Sequence, residues 1–71
     1  MKAPIQVESS TIKSIDYFAP LYILTIEFKN GGVYSYRDVG REIWEGLLKA
    51  PSKGKYFHKF IRNRFDFKKQ I

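Results

Sequence analysis

The sequence predicts an α+β fold in which a three-stranded antiparallel meander is followed by two helices packed on one face of the sheet. Apolar and polar residues alternate with a period of two most clearly over residues 21–29, and this alternation favours strands in the first half of the chain. The spacing becomes helical after Val39. A length of 71 residues fits one small domain, so we assign residues 1–71 to a single domain.

The three strands follow from local composition. Residues 21–29 (LYILTIEFK) place every second, apolar side chain on one face and are the clearest strand. Residues 11–18 favour a strand through their β-branched and aromatic side chains, although their alternation is imperfect, and residues 33–38 provide the returning strand. Ala19-Pro20 marks a turn. We expect residues 1–8 to be a loosely held start.

The length of the second hairpin loop decides which way Tyr34 and Tyr36 face. Asn30-Gly31-Gly32 is a hairpin sequence. A two-residue loop would put both tyrosines on the polar face and turn Arg37 inward, whereas a three-residue loop with Gly31 in the left-handed conformation keeps the apolar residues together. We favour the three-residue loop. The tyrosines are then core residues with hydroxyls at the rim; the alternative is an exposed platform on which bases stack, each contributing about 1–3 kcal/mol.

The spacing of apolar residues and the residues typical of helix ends predict the two helices. Ala50-Pro51 ends the first helix, because the residue before a proline resists the α conformation. Gly46 lies inside this helix and costs about 1 kcal/mol relative to alanine, so the helix depends on its packing. Ser52 is the predicted N-cap of a second helix over residues 53–64. Residues 65–71 either fray or dock back. The apolar stripe of the first helix is Ile43, Trp44, Leu47 and Leu48.

Positive charge is concentrated in the last third of the chain. The formal net charge is +6, yet residues 1–46 carry one more acidic than basic group. Residues 47–71 contain a single acidic residue, Asp66, among eight basic ones. This distribution indicates a globular body with one cationic end rather than a uniformly basic tail.

Composition excludes several classes of protein. A hydrophobic content of 44% with 17% aromatic residues is too apolar for intrinsic disorder. With no cysteine, disulfides and cysteine-based zinc sites are impossible. The longest apolar run, residues 18–26, is interrupted by Pro20 and is far shorter than the ~20 residues of a membrane span. The first ten residues lack the apolar segment of a signal peptide. We therefore expect a cytoplasmic protein without a membrane partner.

Little in the sequence predicts catalysis. His58 is the single histidine and lies among cationic residues without a neighbouring carboxylate. Glu42 and Glu45 are three residues apart on the first helix and have no third ligand, so solvated helix charges are the better interpretation than a metal pair. We expect no enzyme activity, no catalytic residue, no metal and no cofactor.

The second helix predicts a binding surface. Lys55, Lys59 and Arg62 fall at i, i+4 and i+7 with His58 beside them, and no acidic residue is interleaved. Such a basic stripe threaded with aromatic residues suits phosphate binding, although a solvated face that maintains solubility is an alternative. The predicted phosphate contacts are Lys53, Lys55, Lys59, Arg62 and Arg64. The residues predicted to stack on unpaired bases are Tyr34, Tyr36 and Tyr56. The segment 52–55 (SKGK) is either an anion pocket or simply a capped turn.

Several segments together resemble the KTSC domain, a short domain named for its position at the C-terminus of some lysyl-tRNA synthetases and also found as a stand-alone bacterial or phage protein. The resemblance covers about residues 9–67, and its most specific elements are tyrosine-x-tyrosine and serine-x-glycine-x-tyrosine-phenylalanine. A departure is Gly40, where the family often has proline. The matching segments are Ser9-Ser10, Ile12, Tyr17, LTIEF, Gly31-Gly32, Tyr34-Ser35-Tyr36, Val39, Leu47, Ala50, residues 52–57 and Ile61-Arg62.

The resemblance implies no established function, although RNA binding has been suggested from the attachment to a synthetase. We expect a non-enzymatic module that binds nucleic acid, RNA in preference to DNA, with a log–log salt slope of roughly −3.5 if about five phosphates are neutralised. The alternative is a protein-interaction or accessory module, bacterial or phage, that docks on an acidic partner surface. Self-association through an edge of the three-stranded sheet is a third possibility. The sequence assigns no oligomeric state.

Overall fold

Five antiparallel strands form one sheet in the order β1-β2-β3-β4-β5 in a computed structural model that describes residues 4–70. Helix α1 (Arg41–Lys49), helix α2 (Lys53–Tyr56) and a π-helical segment (Phe57–Ile61) that continues α2 lie between β4 and β5. The strands are β1 (Ile5–Gln6), β2 (Ile12–Phe18), β3 (Ile23–Phe28), β4 (Val33–Tyr36) and β5 (Phe67–Lys69).

The α+β class is confirmed, but the prediction of a three-stranded sheet is wrong, because a short strand is added at each edge. β1 pairs with β2, with Ile5 opposite Ile15, within the segment expected to be loosely held. β5 pairs with β4, with Phe67 opposite Tyr36, so the C-terminal segment docks back. Strands of two and three residues are too short to show alternation in the sequence. Each of them forms because it pairs with the longer strand beside it.

A β-bulge explains the imperfect alternation of the first predicted strand. Ile12 pairs with Phe28 and Ser14 pairs with Glu27, so β2 contains one extra residue at this point. The bulge lets Ile12 and Ile15, three residues apart, both be fully buried.

The hairpin between β3 and β4 has the three-residue loop favoured from the sequence. Tyr34 pairs with Ile26 and Tyr36 pairs with Leu24. The Phe28 amide donates to the Gly32 carbonyl at 2.8 Å, which closes the loop. Gly31 has a φ of 96°, a conformation that side chains rarely adopt.

Helix α1 ends at Lys49 as predicted, but the second helix is shorter than the predicted range 53–64. Ser52 caps α2, since its Oγ accepts from the Lys55 amide at 3.3 Å. The last turn widens into π-helix, in which the Arg62 amide donates to the Phe57 carbonyl at 2.8 Å, and helical structure ends at Ile61.

The helices cover the sheet face that carries Ile15, Leu24 and Ile26, each fully buried. Leu47 and Ile61 bring the two helical segments into the same core. None of the helices within residues 4–70 is long and apolar enough to cross a membrane.

Candidate nucleic-acid interface

Four of the cations predicted to contact phosphate are exposed, although Arg62 and Arg64 lie beyond the end of the helix rather than on a regular helical stripe. Lys55, Lys59, Arg62 and Arg64 are all exposed. In the part of the chain that the structure describes, none of these four forms an ion pair with a carboxylate. We call these four residues the cationic face; its charges are available to an anionic ligand.

Lys53, which the sequence places with the phosphate contacts, is engaged elsewhere. Its Nζ donates to the carbonyl of Leu48 at 3.0 Å and to that of Ala50 at 2.9 Å. These carbonyls lie at the C-terminal end of α1, where the helix dipole is negative and a cation is stabilising. In this structure Lys53 therefore caps α1 rather than extending the cationic face.

Arg62 connects the cationic face to the sheet. The wide π-helical turn places it after the last helical residue, and its Nη1 lies 3.2 Å from His58 Nδ1. Because a guanidinium can only donate, His58 Nδ1 is the acceptor of this hydrogen bond. Arg64 donates from Nε to the Lys59 carbonyl at 3.1 Å, which orients its guanidinium against the same segment.

The three predicted stacking residues differ in accessibility. Tyr36 is 5% exposed and its ring belongs to the core, so it can contribute to a site mainly through its hydroxyl. Burial raises the pKa of Tyr36 to about 12. Tyr34 is half-buried. Tyr56 donates its hydroxyl to the Ile43 carbonyl at 3.1 Å and stands against Phe60, with ring centroids 4.7 Å apart, so it is held by α1.

Five aromatic rings form a closed circuit at the end of the sheet beside Arg62. Phe28 lies 5.6 Å from Tyr34 and 5.3 Å from Phe57, measured between ring centroids. Tyr36 lies 5.6 Å from Phe57. Phe67 closes the circuit at 5.6 Å from both Tyr34 and Tyr36. The interplanar angles of 40° to 81° make these contacts tilted or edge-to-face, the geometries that aromatic quadrupoles favour. We call these five residues the aromatic circuit.

The aromatic circuit lines a pocket of about 360 Å³ whose remaining lining residues are Asn30, Arg62 and Asn63. A neighbouring concavity of about 350 Å³ is lined by residues 30–32, Tyr34 and Lys69. Both concavities share Tyr34 and Asn30. Three of the lining residues, Tyr34, Tyr36 and Arg62, are among the predicted site residues. The other five are not predicted from the sequence, because tertiary packing rather than local spacing brings them to the pocket: Phe28, Asn30, Phe57, Asn63 and Phe67.

The segment SKGK behaves as a capped turn. The Ser52 hydroxyl is occupied by the Lys55 amide and Lys53 points to α1, which leaves Lys55 beside His58 in a shallow concavity. Ser9 lines the same concavity, and its hydroxyl accepts hydrogen bonds from the amides of Thr11 and Ile12. These bonds fix the backbone at the start of β2. Within residues 4–70, no group of three or more histidine, aspartate or glutamate side chains could hold a metal ion.

Comparison with known proteins identifies the family. The family model described as KTSC domain matches residues 8–65. The chain is 44% identical over 63 residues to a lysine–tRNA ligase of Trichormus variabilis, which covers 89% of this chain but only 11% of the ligase. It is 33% identical over 58 residues to an uncharacterized protein of Stutzerimonas stutzeri, covering 82% of each.

A solved structure agrees with the fold along nearly the whole chain. The crystal structure of a KTSC domain protein from Yersinia pestis superposes with a TM-score of 0.94 at 32% sequence identity and covers 97% of both chains. The family therefore includes small stand-alone proteins as well as a region of much longer ligases. The family model, the relatives and this structure together show that the chain belongs to the KTSC domain family.

Proposed function

We propose that this protein is a small, non-enzymatic module that binds nucleic acid, RNA in preference to DNA. The observation that carries the proposal is the cationic face, whose exposed side chains have no carboxylate partner within the described residues. A nucleic acid that lies across it would release condensed counterions, which supplies most of the sequence-independent binding free energy.

Two further observations support RNA. The aromatic circuit adjoins the cationic face through Arg62, and unpaired RNA bases are the groups that aromatic side chains of RNA-binding proteins engage. Some relatives are named as lysine–tRNA ligases, so the same domain occurs in proteins that handle an RNA substrate. The second of these is support by association.

The salt dependence of binding tests the proposal. Four phosphate contacts predict a log–log slope of about −3 on a single strand, at roughly −0.7 per contact. This slope is shallower than the slope of roughly −3.5 expected when Lys53 is counted as a fifth contact. Lys53 is left out because its ammonium group is bound to carbonyls at the end of α1. The measurement is fluorescence anisotropy of a labelled single-stranded RNA between about 50 and 200 mM salt.

A matched pair of double variants separates a local site from the overall charge. Lys55→Gln/Lys59→Gln should reduce the slope to about −1.4, because two contacts are removed. Lys13→Gln/Arg41→Gln removes the same charge from exposed positions on β2 and α1 and should leave the slope near −3. Equal effects of the two pairs would contradict a site on the cationic face. No binding to any RNA at low salt would favour docking on an acidic protein surface.

A further inference from the structure

The pocket lined by the aromatic circuit is a second, chemically different part of the molecule. The cationic face presents charge, whereas five of the eight residues that line this pocket are aromatic. Its volume of about 360 Å³ falls at the small end of the range for pockets that enclose small organic groups. The ligand it fits is therefore a single flat or compact group rather than an extended chain.

The polar lining residues decide the charge of that ligand. Aromatic pockets can hold cations against their ring faces. Here the Arg62 guanidinium lines the pocket, and the lining contains no carboxylate among the described residues. A cationic ligand would be repelled by Arg62 with nothing to offset the repulsion, so a neutral ring attached to an anionic group fits better.

Two asparagines supply hydrogen-bonding groups of the kind that read the edge of a base. Asn30 Oδ1 accepts from the Gly32 amide at 2.9 Å, which orients the side chain and leaves its NH₂ group as a donor to the pocket. Asn63 lines the pocket next to Arg62, with a left-handed φ of 63° that turns the chain towards β5. A nucleobase presents both an aromatic face and such an edge.

Lys69 supplies a second cationic group near Tyr34, in the neighbouring concavity. It lies opposite Tyr34 in the β4–β5 register, and it lines the neighbouring concavity together with residues 30–32. Tyr34 lines both concavities, and each of them contains one cationic group, Arg62 in the first and Lys69 in the second. This placement suits a base with a phosphate on either side.

We infer that the pocket binds one unpaired nucleobase, with the accessible rings of Phe28, Tyr34 and Phe67 against its ring, Asn30 and Asn63 at its edge, and the flanking phosphates on Arg62 and Lys69. The inference rests on the proposed function when the base belongs to RNA. It goes beyond that function because it assigns a base-binding pocket and includes Phe67, Asn30, Asn63 and Lys69.

Nucleotide titrations test the pocket independently of RNA binding. AMP and UMP, each added to the ¹⁵N-labelled protein, should shift the amide resonances of residues 30–32, Asn63 and Phe67. Ribose 5-phosphate, which lacks the base, should bind at least about fivefold more weakly. Equal binding of ribose 5-phosphate would mean that only the anion is recognised and would overturn the inference. Tighter binding of tetramethylammonium, or no shift at these amides, would also overturn it.

Substitutions at Phe67 test the same pocket with an oligonucleotide. Phe67 is 55% exposed on an edge strand, so Phe67→Ala should remain folded, and it should lower the affinity for single-stranded RNA by about 5- to 100-fold. The salt slope should not change, because no charge is removed. Phe67→Tyr should retain the affinity and Phe67→Leu should lose most of it, since leucine keeps apolar volume without a ring. Phe18→Ala, 54% exposed at the end of β2, is the control.

The two sets of variants separate the failure of this inference from that of the proposed function. If Lys55→Gln/Lys59→Gln lowers the salt slope while Phe67→Ala leaves affinity unchanged, the pocket is refuted and RNA binding stands. If AMP binds at the pocket but no RNA binds, the pocket stands as a nucleotide site and the proposed function is refuted. If neither ligand binds, both are refuted.

Discussion

Gly46→Ala should destabilise this protein, although the same change inside most helices is stabilising. An added methyl group would lie 2.1 Å from the Tyr56 hydroxyl oxygen and 2.7 Å from Tyr56 Cζ. The tyrosine would have to move by more than 1 Å and would lose its hydrogen bond to the Ile43 carbonyl. Gly46 is therefore the position at which α1 makes room for the ring of Tyr56.

The opposing contributions give the expected size of the effect. Alanine gains about 1 kcal/mol of helix propensity over glycine. The lost hydrogen bond costs about 1 kcal/mol, and forcing a side chain out of a packed position costs about 1–3 kcal/mol. We expect Gly46→Ala to lower the free energy of unfolding by about 2 kcal/mol. In a Tyr56→Ala background the obstruction is absent, and the same change should raise stability by about 1 kcal/mol.

Urea denaturation of the four variants in this cycle measures the coupling. Trp44 is a suitable fluorescent probe because its ring stacks on Tyr17, with centroids 5.2 Å apart. The coupling free energy between Gly46 and Tyr56 should be about 3 kcal/mol. A Gly46→Ala variant that is more stable than the wild type in the Tyr56 background would refute the packing argument.

Three further changes probe other contacts. The pKa of Tyr36 is raised by burial to about 12, above the unfolded value of about 10, so the native state holds this proton more tightly. The contribution of Tyr36 to stability should therefore be constant below pH 10 and should fall by about 1.4 kcal/mol per pH unit towards pH 12. A urea midpoint that is flat from pH 9 to about 11.5 would contradict this. Lys53→Met removes the cation from the Leu48 and Ala50 carbonyls. It should lower the free energy of unfolding by about 1 kcal/mol without altering the RNA salt slope. A salt slope reduced in magnitude by about 0.7 would instead make Lys53 a phosphate contact. Gly31→Ala places a side chain at a φ of 96° and should cost about 1–2 kcal/mol in thermal or urea unfolding, whereas an unchanged stability would exclude that strain.

Local patterns were sufficient for the central strands, helix α1 and the register of the second hairpin. That register follows from a short-range choice, because only the three-residue loop keeps Tyr34 and Tyr36 beside Ile26 and Leu24. The edge strands could not be predicted in the same way. Phe67 pairs with Tyr36 across 31 positions of sequence, and its place depends on how the helices return the chain to the sheet.

In the candidate site, too, the sequence predicts the features that depend on local geometry but not those that depend on tertiary packing. Helical spacing predicts the exposed lysines at Lys55 and Lys59, since exposure on a helix depends on local geometry. It does not predict the role of Lys53, which depends on the approach of α2 to the end of α1. It also assumes a regular helix through Arg62, whereas the π-helical turn ends the helix at Ile61 and leaves Arg62 beside the pocket.

The two shortest strands occupy the two edges of the sheet, and this arrangement affects how the protein behaves at high concentration. An exposed strand edge can recruit a strand from another molecule and so start aggregation, most readily when it is long, flat and uncharged. β1 has two residues and follows Pro4, while β5 has three, of which Lys68 and Lys69 are charged. Neither edge is a good template for sheet growth, so a domain with no disulfide is protected against edge-to-edge aggregation.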